Sequence, residues 1–351
     1  MADYTDHGAV GLVQRTLIIT GVVVAVAVLL WLVWQIPDVV LLIFAGILLA
    51  VFLRGLARLL GRYLHLLLGW ATILGIMLFF LSMAGGALLF GPAVVSGFEE
   101  LSQTLPSAID SLDDYLHQFP ALHGPLQTLM QNEQSALFNE ENVKRITGIF
   151  STALGMISGV LIILAIGLYI SIEPQVYLNG LVRLFPISRR DRVRSVLDRL
   201  GDTLIWWLIG RLLAMLIVGV LTWAGLLLLG VPSALALGVL AGLLDFIPNI
   251  GPLLAAAPAV LLAFSQDQTT ALYVAILYFA VQNIEGYLAT PLIQRRTVSM
   301  PPALLMAVQL AAGVALGLLG LLLATPLAVV AMVLIEALYI EDTLGDRDKQ
   351  T

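Results

Sequence analysis

Apolar residues dominate this chain in long runs, and polar residues collect between them. The runs cover 17–34, 39–53, 66–90, 146–172, 206–229, 271–288 and 303–339. Several exceed roughly 18 residues, the length at which an apolar helix is a candidate to cross a bilayer. The stretch 233–264 breaks the pattern. It divides into apolar arms at 233–247 and 252–264, each too short to cross comfortably, around a turn at Pro248, Asn249, Gly251 and Pro252. Proline, asparagine and glycine at that density are turn chemistry. A membrane helix broken there must satisfy its freed backbone groups in protein or in water, not against lipid. The last run is longer than one crossing needs, and Gly313, Gly317, Gly320 and Pro326 interrupt it. This predicts a second hairpin. The expected fold is all-α: a polytopic helical membrane protein with about eight membrane segments and two broken or re-entrant hairpin regions in its C-terminal half.

The polar segments orient the runs. Residues 1–90 hold three expected spans, the first at 17–34 read as a retained span and not a signal peptide. Residues 91–147 carry eight acids against two bases, which marks an extracytoplasmic helical region. Within it Phe98, Leu101, Leu105, Ile109, Leu112 and Leu116 recur at helical spacing. That stripe either packs on the protein itself or serves as a lid or partner surface. Residues 148–172 form the fourth span. Residues 173–205 hold six arginines against four acids, and together with Arg54, Arg58 and Arg62 they mark the cytoplasmic side by the positive-inside rule. The segment reads as an interfacial amphipathic helix with its arginines among lipid headgroups. Residues 206–340 are the expected transport core, with hairpins near 233–264 and 303–339, and 341–351 is a cytoplasmic tail. Both termini are placed inside. GPLLAAAPAV at 251–260 and GLLLATPLAV at 320–329 form a faint internal echo.

Composition strengthens the membrane reading: 60% of residues are hydrophobic, 11% are charged and mean hydropathy is +1.00. Cysteine is absent and the four histidines are scattered, so neither a thiolate nor a histidine metal site is expected. The chain shows no Walker motif and no nucleophile–base pair. We therefore expect no enzyme activity, no cofactor and no nucleic-acid partner.

The candidate chemistry lies in polar residues inside apolar runs, where such residues are expensive and face protein or water. Asp245 could bind sodium, take a proton or accept hydrogen bonds from a sugar-like diol. It could equally pair with Arg211 or with backbone N–H groups at the break. Asn249 offers a donor and an acceptor, or simply tolerates the turn. Gln282, Asn283 and Glu285 put a polar patch on the next crossing, and Gln309 and Thr325 are weaker candidates on the last run. Pro248, Gly251 and Pro252, and on the last run Gly313, Gly317, Gly320 and Pro326, are assigned to shaping the hairpins. Broken helices with polar residues near the bilayer midplane are a common way for secondary transporters to build a substrate site.

DFIPNIGP at 245–252, followed by an apolar arm and a second glycine-rich run ending in TPLAV, resembles the autoinducer-2 exporter (AI-2E) transporter family. The likeness covers most of the chain. It implies a bacterial inner-membrane transporter, a homo-oligomer with a pentamer as the form to expect, and export of a small polar solute such as autoinducer-2. Some members look instead like sodium(lithium)/proton antiporters. A non-transporting membrane scaffold docking through 91–147 is the alternative of another class.

Overall fold

The computed structural model describes residues 35–116, 153–294 and 300–346, together with Thr20. The expected first span and most of the acidic region lie outside the described residues. Every element among the described residues is helical: α1 (Pro37–Leu64), α2 (Leu68–Leu116), α3 (Ala153–Ile172), α4 (Pro174–Arg183), a short 3-10 turn, α5 (Arg190–Leu228), α6 (Ala234–Leu244), α7 (Ile250–Gln266), α8 (Gln268–Gln294) and α9 (Pro302–Leu334), which continues into a π-helical segment, Ile335–Glu341.

Four helices among the described residues are long and apolar enough to cross a membrane, or five if α3 and α4 count as one bent pair. This is fewer than the eight segments expected. The first run lies outside the described residues, and α6 and α7 are short. Gln282, Asn283 and Glu285 dilute the apolar stretch of α8, which is not among the four.

Several elements differ from the sequence reading. α1 does not stop at 53 but carries Arg54, Arg58 and Arg62 on its own surface and ends at His65 with a left-handed backbone, φ 53°. α2 runs unbroken through residue 90 into the stripe expected of the acidic region. The stripe's Leu101 is buried with residues of α5 to α8, so at that point it packs on the protein itself. The interfacial helix expected at 173–205 is not a separate element. Residues from Arg190 onward are continuous with the fifth span in α5, because no proline or glycine turn lies between Leu204 and Trp206 to end the helix. The element that leaves the bundle direction is α4, bent 85° from α3, with Pro174 at its first position. Proline fits there because the first N–H groups of a helix have no partner inside it.

Two apolar cores hold the bundle. One joins Val218, Leu226, Leu237, Ala241, Ala259 and Val274 across α5 to α8. The other joins Leu41, Leu48, Trp207, Leu208, Leu323 and Val329 across α1, α5 and α9. α5 contributes to both and is the shared wall. Its approach to α6 is close: a methyl on Gly242 would stand 2.8 Å from the Met215 carbonyl oxygen. Large apolar side chains meanwhile face outward in number, Leu88, Leu89, Leu228 and Val314 among them. Such a surface suits lipid and not water.

The broken regions have distinct geometry. Between α6 and α7 the chain turns at 245–249, with Asn249 at φ 67°. Gly251 follows so tightly that a Cβ there would lie 1.8 Å from the Leu244 carbonyl oxygen. Pro252 sits in the first turn of α7, again where no N–H is needed. In α9, Gly317 has φ 67° and ψ −155°, outside any helix. A Cβ on Gly320 would stand 2.4 Å from the Ala312 carbonyl oxygen, and one on Gly313 would stand 3.6 Å from Leu321 Cβ. Residues eight apart lie about 12 Å apart in a straight helix. The chain therefore doubles back at Gly317, with Gly313 and Gly320 lining the fold. Pro326 is buried in the second arm.

Gly251→Ala is expected to lower stability by about 3 kcal/mol or more, since the methyl meets backbone that cannot move aside. Gly69→Ala, where a Cβ meets nothing within 4 Å, is expected to be neutral or mildly stabilising. Thermal unfolding midpoints of the two variants in detergent check the contrast.

Candidate functional site

Arg211, in the body of α5, reaches across to the two other buried charged groups among the described residues. Its Nη2 lies 3.1 Å from Oδ2 of Asp245, and its Nη1 donates to Oε1 of Glu285 at 3.1 Å. Asp245 is 0% exposed, Arg211 4% and Glu285 9%. Asp245 caps the C-terminus of α6, where the helix dipole is negative and disfavours an acid. The guanidinium is what makes a carboxylate tolerable there.

The two acids are held differently. Glu285 is fully engaged: Arg211 Nη1 donates to one of its oxygens and Gln282 Nε2 donates to the other at 2.5 Å. Asp245 is ion-paired but not hydrogen-bonded. Its contact with Arg211 is close yet out of line for a hydrogen bond, and neither of its oxygens has a hydrogen-bond partner among the described residues. One guanidinium here faces two carboxyl groups. The arrangement can therefore accept O–H donors from a polar solute, a proton or a small cation, and Asp245 is the group with acceptor capacity to spare.

A second polar group lies alongside. Gln309, 0% exposed on the first arm of α9, donates from Nε2 to the Pro248 carbonyl oxygen at 3.0 Å and to Thr325 Oγ1 on the second arm at 3.4 Å. The same amide ties both arms of α9 to the turn between α6 and α7. Its Oε1 is buried with no hydrogen-bond partner among the described residues. Trp207 and Phe246 meet edge to face at 5.8 Å beside the break, fixing the turn against α5.

The sequence reading assembled most of this and missed some. Arg211, Asp245, Gln282 and Glu285 converge, and so do Pro248, Gln309 and Thr325. Two candidates are not brought in. Asn249 is exposed at the head of α7 and its side chain caps nothing. Asn283 is exposed and donates back to the Phe279 carbonyl oxygen of its own helix at 2.7 Å. It follows Gln282 by one residue, which turns it about 100° around the helix and off the polar face. Thr222 on α5 and Tyr278 on α8 were not singled out, yet their hydroxyls are buried without hydrogen-bond partners among the described residues. Hydroxyls inside apolar runs carry little sequence signal.

Also unforeseen is an ion-pair cluster at the arginine-rich end. Arg192 pairs with Glu341 and Asp342 at 2.8 and 3.0 Å, and Arg199 with Glu336 and Glu341 at 2.8 and 2.6 Å. These two arginines are engaged with the end of α9, not only with lipid headgroups as expected. The adjacent acids Glu341 and Asp342 were the available signal.

Comparison of the chain with known proteins identifies its relatives. The model of the family described as AI-2E family transporter matches residues 21–340. The chain is 29% identical over 307 residues to YueF of Bacillus subtilis, covering 81% of this chain and 80% of that protein; its name assigns it to transport without naming a solute. It is 24% identical over 291 residues to a transport-related protein of Thermotoga maritima, covering 83% and 88%. It is 26% identical over 246 residues to the AI-2 transport protein TqsA of Escherichia coli, covering 69% and 70%.

Arg211→Met is expected to cost about 3–5 kcal/mol of stability, because it leaves two buried carboxylates without a cation. Adding Glu285→Gln in the same chain is expected to recover part of that loss. Unfolding of the two variants and wild type in one detergent measures the recovery, and strictly additive losses would contradict the bridge.

Proposed function

Because the chain belongs to the AI-2E transporter family, we propose that it is a secondary transporter of the bacterial inner membrane that moves a small polar solute outward. The observation that carries this reading is Asp245: a buried carboxylate at a helix break, held by Arg211, with both oxygens free of hydrogen bonds. Such a group is costly inside a membrane protein and is kept where it meets a ligand. A relative named for autoinducer-2 transport makes a compact polyhydroxylated molecule the first solute to try. Its hydroxyls would donate to Asp245.

In this reading the α6–α7 turn and the reversal at Gly317 are two re-entrant hairpins that meet in the membrane, linked by Gln309. With the run at 17–34 they complete the eight segments expected, and the arginine-rich end faces the cytoplasm with both termini. The apolar part of α2 has little of its surface buried within the chain, which fits a homo-oligomer, with a pentamer as the form to test. Exchange of sodium or lithium for protons is a second reading, favoured by the two carboxyl groups that share one guanidinium.

The test is flux into proteoliposomes by wild type and Asp245→Asn, offering a labelled vicinal diol, sodium and lithium in parallel. Saturable diol flux that falls about 10–100-fold in the variant, the size of one lost hydrogen bond to a charged group, supports the exporter. Sodium-driven proton movement abolished by the variant would replace it with the antiporter. Folded protein that moves neither would overturn both in favour of a scaffold.

A further inference from the structure

A cavity of about 430 Å³ lies away from the Arg211 site, between α1, the α3–α4 corner and α5. It follows from the 85° bend. Once α4 turns off the axis of α3, it leaves a gap beside the end of α1 that bears its arginines, on the side not packed by α2. The shaft of the cavity is apolar, walled by Ile47 and Val51 of α1, Ile170 of α3, Leu204 of α5 and Val330 of α9. Its charged lining consists of Arg54, Arg58 and Asp198.

These three are not equivalent. Arg58 already has a partner, Asp202 at 2.5 Å. Arg54, one turn earlier on the same face, is half-buried and has neither a hydrogen bond nor an ion pair among the described residues. Asp198 is exposed and likewise unpaired. Among the described residues, the apolar shaft thus ends in one unpaired cation and one unpaired anion. Tyr177 of α4 also lines the cavity and is exposed. Tyrosine and arginine together mark headgroup depth in a membrane protein. The helices around the cavity carry outward-facing apolar side chains, which suits an opening toward lipid.

We propose that this cavity binds a zwitterionic phospholipid with a primary amine, its phosphate on Arg54, its ammonium toward Asp198 and one acyl chain in the shaft. The volume is of small-ligand size, so the second chain stays in the bilayer. A purely anionic headgroup would satisfy Arg54 but set a second negative charge beside Asp198. A fatty acid would leave Asp198 unmatched in the same way. Zwitterion and cavity mouth agree in both signs, and basic pockets between membrane helices are known phospholipid sites.

The test is native mass spectrometry of the purified full chain in detergent, titrated with phosphatidylethanolamine and, separately, phosphatidylglycerol. Wild type is expected to retain phosphatidylethanolamine in preference. Arg54→Gln is expected to weaken retention of both lipids about tenfold, the loss of one charge-assisted phosphate contact. Asp198→Asn removes an exposed group that the fold does not use. It is expected to abolish the preference while leaving phosphatidylglycerol bound. Ile47→Trp, which fills the shaft, is expected to displace both, and unchanged thermal midpoints for Arg54→Gln and Asp198→Asn keep the readout separate from folding. Equal retention of the two lipids by wild type, stronger retention of phosphatidylglycerol, or binding unaffected by Arg54→Gln would each overturn the proposal.

Discussion

A charge inside a membrane protein must be answered by another charge, and the rest of this molecule is arranged so that Arg211 can give that answer twice. One guanidinium spans two carboxylates that come from a helix terminus and from a separate helix. For the distances to hold, α5, the end of α6 and the middle of α8 must all be fixed. The close approach of α5 to α6 is what fixes the first pair. Small residues, Gly219, Gly238 and Gly242, line that contact, and any larger side chain would push Asp245 out of reach. Packing and electrostatics are thus one constraint: the helices are close because the residues are small, and the acid is stable because the helices are close.

The ion pairs at the arginine-rich end are a different kind of interaction. They are half-exposed, and exposed pairs contribute little stability, about 0–1 kcal/mol each. Their role is geometric. Arg192 and Arg199 meet three acids from the π-helical end of α9, so the start of α5 and the end of α9 are held side by side. α5 is then anchored at this end by charge and in its middle by the buried bridge.

Which features were legible from sequence follows from what each one costs. The membrane helices were legible because burying backbone in lipid demands long apolar runs. The two breaks were legible because proline, asparagine and glycine leave few other conformations, and Asp245, Glu285 and Gln309 stood out against apolar neighbours. Asn249 and Asn283 stood out equally but do not join the buried cluster, since polarity does not say which way a side chain points. Nor did local sequence say where α2 ends or where α5 begins. Charge patterning located a boundary in polarity, while the helices ran through it, because glutamate and arginine are good helix formers. The Arg211–Glu285 contact joins residues 74 positions apart and has no local signature at all.

The amide of Gln309 has a consequence for how the core can move. It grips a main-chain oxygen at one turn and a hydroxyl on the far arm of the other, so it is a rivet through three layers. Neither reversal can shift by more than a fraction of an ångström without stretching that rivet or dragging the other along. With the rivet intact, the core works as one gear train: displacement of α9 is delivered to the Asp245 turn in step. Halfway states, in which one reversal has moved and the other has not, are disfavoured by a single side chain.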